Sequence, residues 1–337
     1  MRKLSPCSGK GGDPMKFSIM IPFVPRLGEQ ALPFAGLVKW SSAARLWQGQ
    51  GMLTEGHHVF CHIAGTGFRI PAGLGVSLMP LRSPLQAALE ARSLAVLSGE
   101  PVVAGFGPGG LELQRRVLGR PYASQLGACR EYASIVRSLL DGQEVAGEGP
   151  YFPMTAQLPL FPAPRVDVGL GVLRPGMARL AGEVADAAIT WLTPPSYLRD
   201  VVVPALREGS DAAGRPAPRL VAMVPMALAA ADRDPVQLAL ASNRPHLAAP
   251  HYQDMLRTAG IDVQGTDPEH DAKELVAGQG FLYGDDDQLR AAAAEYAAAG
   301  VDELVINVSG VCSTYGPRAA LHELTHLVGS LTAKDLS

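Results

Sequence analysis

Eight short apolar runs punctuate the chain, and between them apolar residues return at helical spacing. The runs are Phe17 to Phe23, Ala44 to Gln48, Ile70 to Met79, Val102 to Phe106, Val166 to Gly171, Ala187 to Trp191, Leu220 to Leu228 and Glu303 to Val308. Most are near-continuously apolar, the pattern of strands buried on both faces of a parallel sheet. Helical periodicity is clearest over Leu85 to Leu97, Ser124 to Leu140, Gly176 to Val184, Tyr197 to Ala213 and Gln288 to Ala299. Eight β/α alternations predict an α/β fold, a (β/α)8 TIM barrel with insertions, over residues 15–331. Two stretches break the rhythm. Gly147 to Pro164 carries five prolines and reads as an insertion, and Asp232 to Gly280 is polar and without a strand pattern. Helices forming a lid over the barrel mouth are expected there.

Two turns carry candidate chemistry. In Arg69 to Gly110 a strand, a helix begun near Pro84 and a second strand end in Gly105, Gly107, Gly109 and Gly110. Such glycines let a backbone approach a ligand at the carboxyl end of a parallel strand. The other turn runs from Gly171 through Val172, Leu173 and Arg174 into a helix beginning Pro175-Gly176-Met177. A helix start offers unpaired N–H groups and partial positive charge, which suit a phosphate, and Gly176 and Arg174 favour its approach. The alternative is that Pro175 merely starts the helix and Gly176 is a neutral turn residue.

Several blocks, in order, resemble the bacterial luciferase-like family of flavin- and deazaflavin-dependent oxidoreductases. They are LMPLRSP (Leu78 to Pro84), LSGE (Leu97 to Glu100), GFGPG (Gly105 to Gly109), YASIVRSLLDGQEV (Tyr132 to Val145) and RPGMARLAGEVADAAITWLTPPSYL (Arg174 to Leu198). The resemblance implies a cofactor, reduced coenzyme F420 or alternatively FMN, with its phosphate at Gly171, Val172 and Arg174 to Met177. It implies a non-proline cis peptide at Val76-Ser77, forming a bulge behind the cofactor ring near Gly105 and Gly107. A homodimer is also implied.

The departures are as informative. Deazaflavin-dependent sugar dehydrogenases of this family place an Asp-His pair after the second strand, where this chain has Leu46-Trp47-Gln48-Gly49-Gln50. They place a Glu after the fourth strand, where this chain has Gly110. Gln48 and Gln50 can orient a substrate but cannot carry a proton away. Trp47 and Trp191 either wall an apolar pocket, with Gly110 beside the substrate, or pack in the core and rim. His57 and His58 are the candidates for proton delivery. The runs WQGQ and GFGPGG are similar to luciferase-like reductases of lanthipeptide clusters, which implies hydride transfer to dehydroalanine or dehydrobutyrine in a modified peptide. An FMN-dependent monooxygenase and a non-catalytic binding subunit are the competing readings.

Composition narrows the remaining choices. The 337 residues carry a net charge of −3, so there is no basic footprint for nucleic acid. No apolar run approaches the ~18 residues of a membrane span. The segment MRKLSPCSGKGGDP lacks an apolar signal core and is expected to be a disordered leader over residues 1–14, with Met15 the natural start. Cys7, Cys61, Cys129 and Cys312 are far apart, which points to reduced thiols in the cytoplasm. His322-Glu323-Leu324-Thr325-His326 has the spacing of a zinc helix but no third ligand follows, so an amphipathic final helix is expected and no metal. Asp285-Asp286-Asp287 reads as a helix cap.

Overall fold

The computed structural model describes residues 14–332; the expected leader lies, apart from Pro14, outside the described residues. Eight parallel strands form the centre: β1 (Lys16–Met20), β2 (Leu46–Gln48), β3 (Ala72–Leu78), β4 (Val102–Gly107), β5 (Val166–Gly171), β6 (Ala187–Trp191), β7 (Arg219–Leu228) and β8 (Glu303–Asn307). They pair in the order β7-β8-β1-β2-β3-β4-β5-β6, and β6 pairs back onto β7 to close a barrel. Each apolar run of the sequence supplies one strand, trimmed by a residue or more where the run overshoots. The third run stops at Leu78 because Pro80 turns Met79–Leu81 into a 3₁₀ segment. The helix expected over Tyr197 to Ala213 widens into a π turn at Leu198–Val202, just before Pro204, which has no N–H to continue an α-helical ladder.

The helices that matter for the mouth are α1 (Gly56–Gly65), α2 (Pro84–Ser98), α3 (Gln125–Leu140), α4 (Pro175–Val184), α5 (Pro235–Leu247), α6 (Pro250–Thr258) and α7 (Ser309–Tyr315). The Gly147 to Pro164 segment completes a small antiparallel hairpin, Val145–Gly147 with Met154–Ala156. The Asp232 to Gly280 segment holds α5, α6 and the helix Pro268–Ala277. A short strand, Leu282–Gly284, then extends the sheet beside Met226 to Leu228.

Strand alternation divides the side chains into two cores. Leu46, Leu74, Leu304 and Ile306 face the helices, whereas Trp47, Val103, Ala187, Ile189, Val221, Met223 and Val305 fill the lumen. Trp47 is the largest lumen residue and takes its space from a neighbour without a side chain: a Cβ on Gly73 would overlap its indole. The amino-terminal end of the barrel is closed by charge. Glu303, 1% exposed, accepts hydrogen bonds from Ser18 Oγ and Trp47 Nε1, both at 2.7 Å. Arg45 and Arg219 lie 3.4 and 3.5 Å from its carboxylate, and Arg219 also pairs with Asp167 at 2.6 Å. A floor so filled leaves the carboxyl end as the open end of the barrel.

Among the described residues Cys129 and Cys312 are buried and Cys61 is half-buried, and all three are free thiols. In the final helix, Pro317–Thr332, Glu323 accepts from Leu228 N–H at 2.7 Å and pairs with Arg233 at 2.6 Å, while His326 sits 2.9 Å from Asp286. Glu323 and His326 thus tie that helix to its neighbours, and His322 is exposed. Asp285 caps the helix Asp286–Ala298 by accepting from Gln288 N–H at 2.9 Å. No helix of the described residues is long and apolar enough to cross a membrane.

Candidate active site

The mouth is built around Val76. The cis peptide lies at Gly75-Val76, one residue before the expected Val76-Ser77, and the pairing of β3 with β4 shifts register between Leu74 and Ser77. At the bulge the Val76 side chain packs against the lumen core. The glycines of the next strands are shaped around it. A Cβ on Gly107 would stand 2.9 Å from Val76 Cγ2, and one on Gly171 3.4 Å from Val76 Cγ1. A Cβ on Gly105 would overlap the Leu74 carbonyl oxygen and Ile189 Cδ1. Gly105 and Gly107 therefore seat a valine pedestal directly, and act on any ligand through it. Ser77 is buried beside Phe106 in the register.

The second turn has the form its sequence predicts. Val172 N–H binds Ile189 O at 2.7 Å, and Leu173 O accepts from Tyr197 OH at 3.1 Å. Arg174 is the extended residue before α4, and Met177 and Ala178 N–H return to its carbonyl. The Gly176 N–H is left at the head of α4 without an intrahelical partner. The approach is open: a Cβ on Gly176 would meet only Leu126 Cδ1, at 3.4 Å. Arg174 Nε pairs with Asp254 of α6 at 2.9 Å, both half-exposed, so α6 closes against this turn.

On the β6 side, Trp191 stacks on His246 of α5, with ring centroids 5.2 Å apart and planes 25° from parallel, and Tyr252 meets His246 edge-on at 4.9 Å. Burial, with a smaller effect of His251, pulls the His246 imidazole down to about 4, so the ring is neutral at pH 7. Trp191 Nε1, His246 Nδ1, Asn307 Nδ2 and Ser309 Oγ are all buried without a partner.

The residues after β2 have other tasks. Trp47 lies below the mouth in the lumen, bonded to the floor. Gln48, buried, turns to the helix layer, its Cδ and Oε1 3.8 Å from where a Gly56 Cβ would stand. Gln50 donates to Gly51 O at 2.9 Å and to Glu55 at 3.2 Å, and accepts from Arg82 Nη2 at 3.1 Å. Arg82 also donates to Glu55 at 2.8 Å, and His57, 4% exposed, has Nδ1 3.3 Å from Glu55 and 3.8 Å from Glu90. Burial raises the Glu55 carboxyl, but His57, Arg82 and Gln50 outweigh it and hold it at about 2. This cluster ties the loop after β2 to the loop after β3. His58 is exposed, and Gly110 starts the helix Leu111–Leu118 with no neighbour near its missing Cβ.

The structure thus joins Val76, Gly105, Gly107 and Gly171 in one place and Arg174 to Met177 in another, and sets Gln50 with His57 in a cluster of their own. Arg82, Glu90, His246 and Asn307 received no role from sequence. Arg82 stands in the LMPLRSP block and Glu90 in the helix that follows, but only the fold brings them to Glu55. Two surface recesses lie elsewhere, one of about 380 Å³ beside Arg137, Arg165 and Asp186 and an apolar one of about 600 Å³ beside Trp40, Phe68 and Leu321. Neither contains the carboxyl end of a barrel strand, so strand polarity is the better guide to the chemistry.

Comparison with known proteins agrees with this fold. An F420-dependent glucose-6-phosphate dehydrogenase of Nakamurella multipartita is 36% identical over 89 residues, a match spanning 26% of each chain. The fold is similar to that of the coenzyme F420-dependent tetrahydromethanopterin reductase of Methanopyrus kandleri, with TM-score 0.71, 21% identity, and 94% of this chain and 98% of that one covered. It is also similar to the FMN-bound oxygenating constituent of 3,6-diketocamphane monooxygenase from Pseudomonas putida, with TM-score 0.72, 15% identity, and coverage of 96% and 99%. The sequence pattern of luciferase-like monooxygenases matches residues 35–303, and the chain belongs to that family of oxidoreductases.

Proposed function

We propose that the protein is a reductase that takes a hydride from reduced coenzyme F420 and delivers it to an activated C=C bond, with dehydroalanine or dehydrobutyrine in a modified peptide as the substrate. The observation that carries this reading is the absence, among the described residues, of an acid–base pair facing the lumen after β2 and β4. Gln48 faces the helices, Gln50 is held by Arg82 and Glu55, and Gly110 has no side chain. Alcohol oxidation needs a base for the hydroxyl proton. Hydride addition to a conjugated alkene needs donors for the charge it creates.

The residues present fit the cofactor. The open head of α4 at Gly176, with Arg174, would hold its phosphate, and Val76 would back its ring. A reduced deazaflavin supplies the hydride when bound. The chain orients the two reactants and leaves the final proton to solvent, since His57 lies between two carboxylates and His58 is outside. The F420-dependent relative supports the deazaflavin reading, with FMN the alternative. We expect the working form to be a homodimer in the cytoplasm.

The test mixes purified protein with reduced F420 or reduced FMN and a dehydroalanine peptide. A gain of two hydrogens with F420 is the expected result. A gain with FMN alone rejects the deazaflavin, and an oxygen-containing product in air makes the protein a monooxygenase. No reaction with either cofactor rejects the reductase and leaves the binding-subunit reading.

A further inference from the structure

We infer that the side-chain amide of Asn307 and the indole N–H of Trp191 bind the carbonyl oxygen of an α,β-unsaturated carbonyl substrate and hold the charge that collects on it; this rests on the reductase reading above. Alternation along β8 points Glu303 and Val305 to the lumen and Leu304 and Ile306 to the helices, so Asn307 falls on the lumen face at the open end. It is 0% exposed. Its Oδ1 accepts from Ser309 N–H at 3.0 Å, which fixes the amide's direction and leaves Nδ2 with no partner. Along β6, Ala187 and Ile189 face the lumen, and Trp191 follows with them. Its ring is fixed against His246, and its Nε1 is likewise buried and unpartnered.

The two donors flank one strand. Trp191 pairs with Met223 of β7, and Asn307 pairs with Pro225 two residues on. Strand spacing and rise put their Cα atoms on the order of 10 Å apart, within reach of one oxygen for a long indole and a short amide. Buried N–H groups left without acceptors are destabilising, so a ligand that supplies the acceptor is favoured. Both atoms can only donate, so they suit a carbonyl oxygen that gains charge and cannot take the proton that a hydroxyl must lose on oxidation. The neighbouring imidazole, His246, is held neutral by burial and is a poor base for such a proton.

A reduced deazaflavin, when bound, would supply a hydride with its electron pair to the β-carbon of the substrate and be left oxidised. The π pair of the C=C bond moves into the carbonyl system as an enolate, its charge on the oxygen held by the two N–H groups. Water then protonates the α-carbon. Charge develops where neutral, preset donors wait for it.

The experiment uses N-acetyldehydroalanine methylamide, followed by deazaflavin absorbance for turnover and by calorimetry for binding to the protein without cofactor. Trp191→Phe keeps the stack and removes the donor, and Asn307→Leu removes the amide. Each should lower kcat roughly 10²-fold and weaken probe binding several-fold, with F420 affinity unchanged. Asn307→Asp keeps the contact to Ser309 but replaces the donor with an acceptor, so it should fail like Leu. Restored activity in Asn307→Asp would mean that the Ser309 contact is what counts and overturn the assignment. Unchanged kcat and binding in Trp191→Phe and Asn307→Leu would also overturn it. If wild type binds the probe but does not reduce it, the reductase reading fails while the binding series still judges the donors. A wild type that neither binds nor reduces the probe removes the carbonyl assignment.

Discussion

Adding one methyl group at each of three glycines should separate the cofactor cradle from the scaffold beneath it. At Gly105 the new Cβ overlaps the Leu74 carbonyl oxygen and Ile189 Cδ1 and stands 3.2 Å from Val76 Cγ1. A backbone oxygen in a barrel strand cannot swing aside, so restoring contact requires a displacement on the order of 1 Å. Overpacking of this kind costs about 1–3 kcal/mol, and a backbone clash puts Gly105→Ala near the top. The unfolding midpoint should fall by roughly 2–8 °C. Because the strain bears on Val76, a 1 Å shift of the ring it backs should slow hydride transfer about 10²-fold. At Gly107 the Cβ meets only Val76 Cγ2, at 2.9 Å, and a methyl group can give way, so Gly107→Ala should cost less than about 1 kcal/mol. At Gly176 the nearest atom is 3.4 Å away, and alanine improves a helix by up to about 1 kcal/mol over glycine. Gly176→Ala should leave the midpoint unchanged or raised while F420 affinity drops. Differential scanning calorimetry and cofactor titration on the three variants give the comparison. A Gly105→Ala protein with wild-type midpoint and affinity would refute the pedestal, and a Gly176→Ala protein with unchanged affinity would refute the phosphate placement.

Arg174→Ala should weaken cofactor binding by about 1–3 kcal/mol in a titration at low salt, with little loss of stability because its pair with Asp254 is half-exposed. His246 holds a folded value near 4 against an ordinary 6.5, so the unfolded or opened state takes up its proton first as pH falls. Its contribution is complete above about 6.5 and is lost between 6.5 and 4; hydrogen exchange of α5 and α6 should accelerate across that window, and not in His246→Phe. Glu303→Leu leaves the buried Arg45 guanidinium without its carboxylate, while Arg219 keeps Asp167, and should cost about 3–5 kcal/mol in urea unfolding. Its F420 affinity at permissive conditions should be that of wild type, since the floor is at the opposite end of the barrel.

The barrel was legible because a strand buried on both faces must be apolar almost throughout, and Val166 to Gly171 and Ala187 to Trp191, apolar but for Asp167 and Thr190, form strands over those same residues. The head of α4 was legible for a related reason: Pro175 and Gly176 report a local backbone state that sequence carries directly. Gln48 shows where this reading stops. Its place after an apolar strand suggested the mouth, yet period-two alternation from Trp47 sends it to the helices, and a three-residue strand gives too little pattern to fix the face. Asn307 and Trp191 were harder still. Their significance is the lack of a partner, a property of everything around them and of no motif. The Glu55, Arg82 and Glu90 cluster is likewise invisible in sequence, because its members come from three separate loop and helix positions.

The two ends of the barrel handle polarity in opposite ways, and the difference bears on the chemistry. At the floor, Glu303, Arg45, Arg219 and Asp167 place charges where they cancel, and Ser18 and Trp47 satisfy what remains. Across the mouth from β6 and β8 the charges of Arg82, Glu55 and Glu90 pair with one another, while on the β6 and β8 side Trp191 Nε1, His246 Nδ1, Asn307 Nδ2 and Ser309 Oγ are buried, neutral and without a protein partner. Fixed positive charge there would pull an enolate tightly, but it would also demand a permanent partner, and any partner carboxylate would compete for the same site. Neutral N–H groups avoid that competition and favour the oxygen more as its charge grows. Trp47 links the regions through packing: its indole N–H ends on the floor at Glu303 while its ring fills the space beneath Gly75 and Met223. The pedestal under Val76 therefore stands on a column anchored by charge, and the donors above it can stay uncharged without loosening the fold.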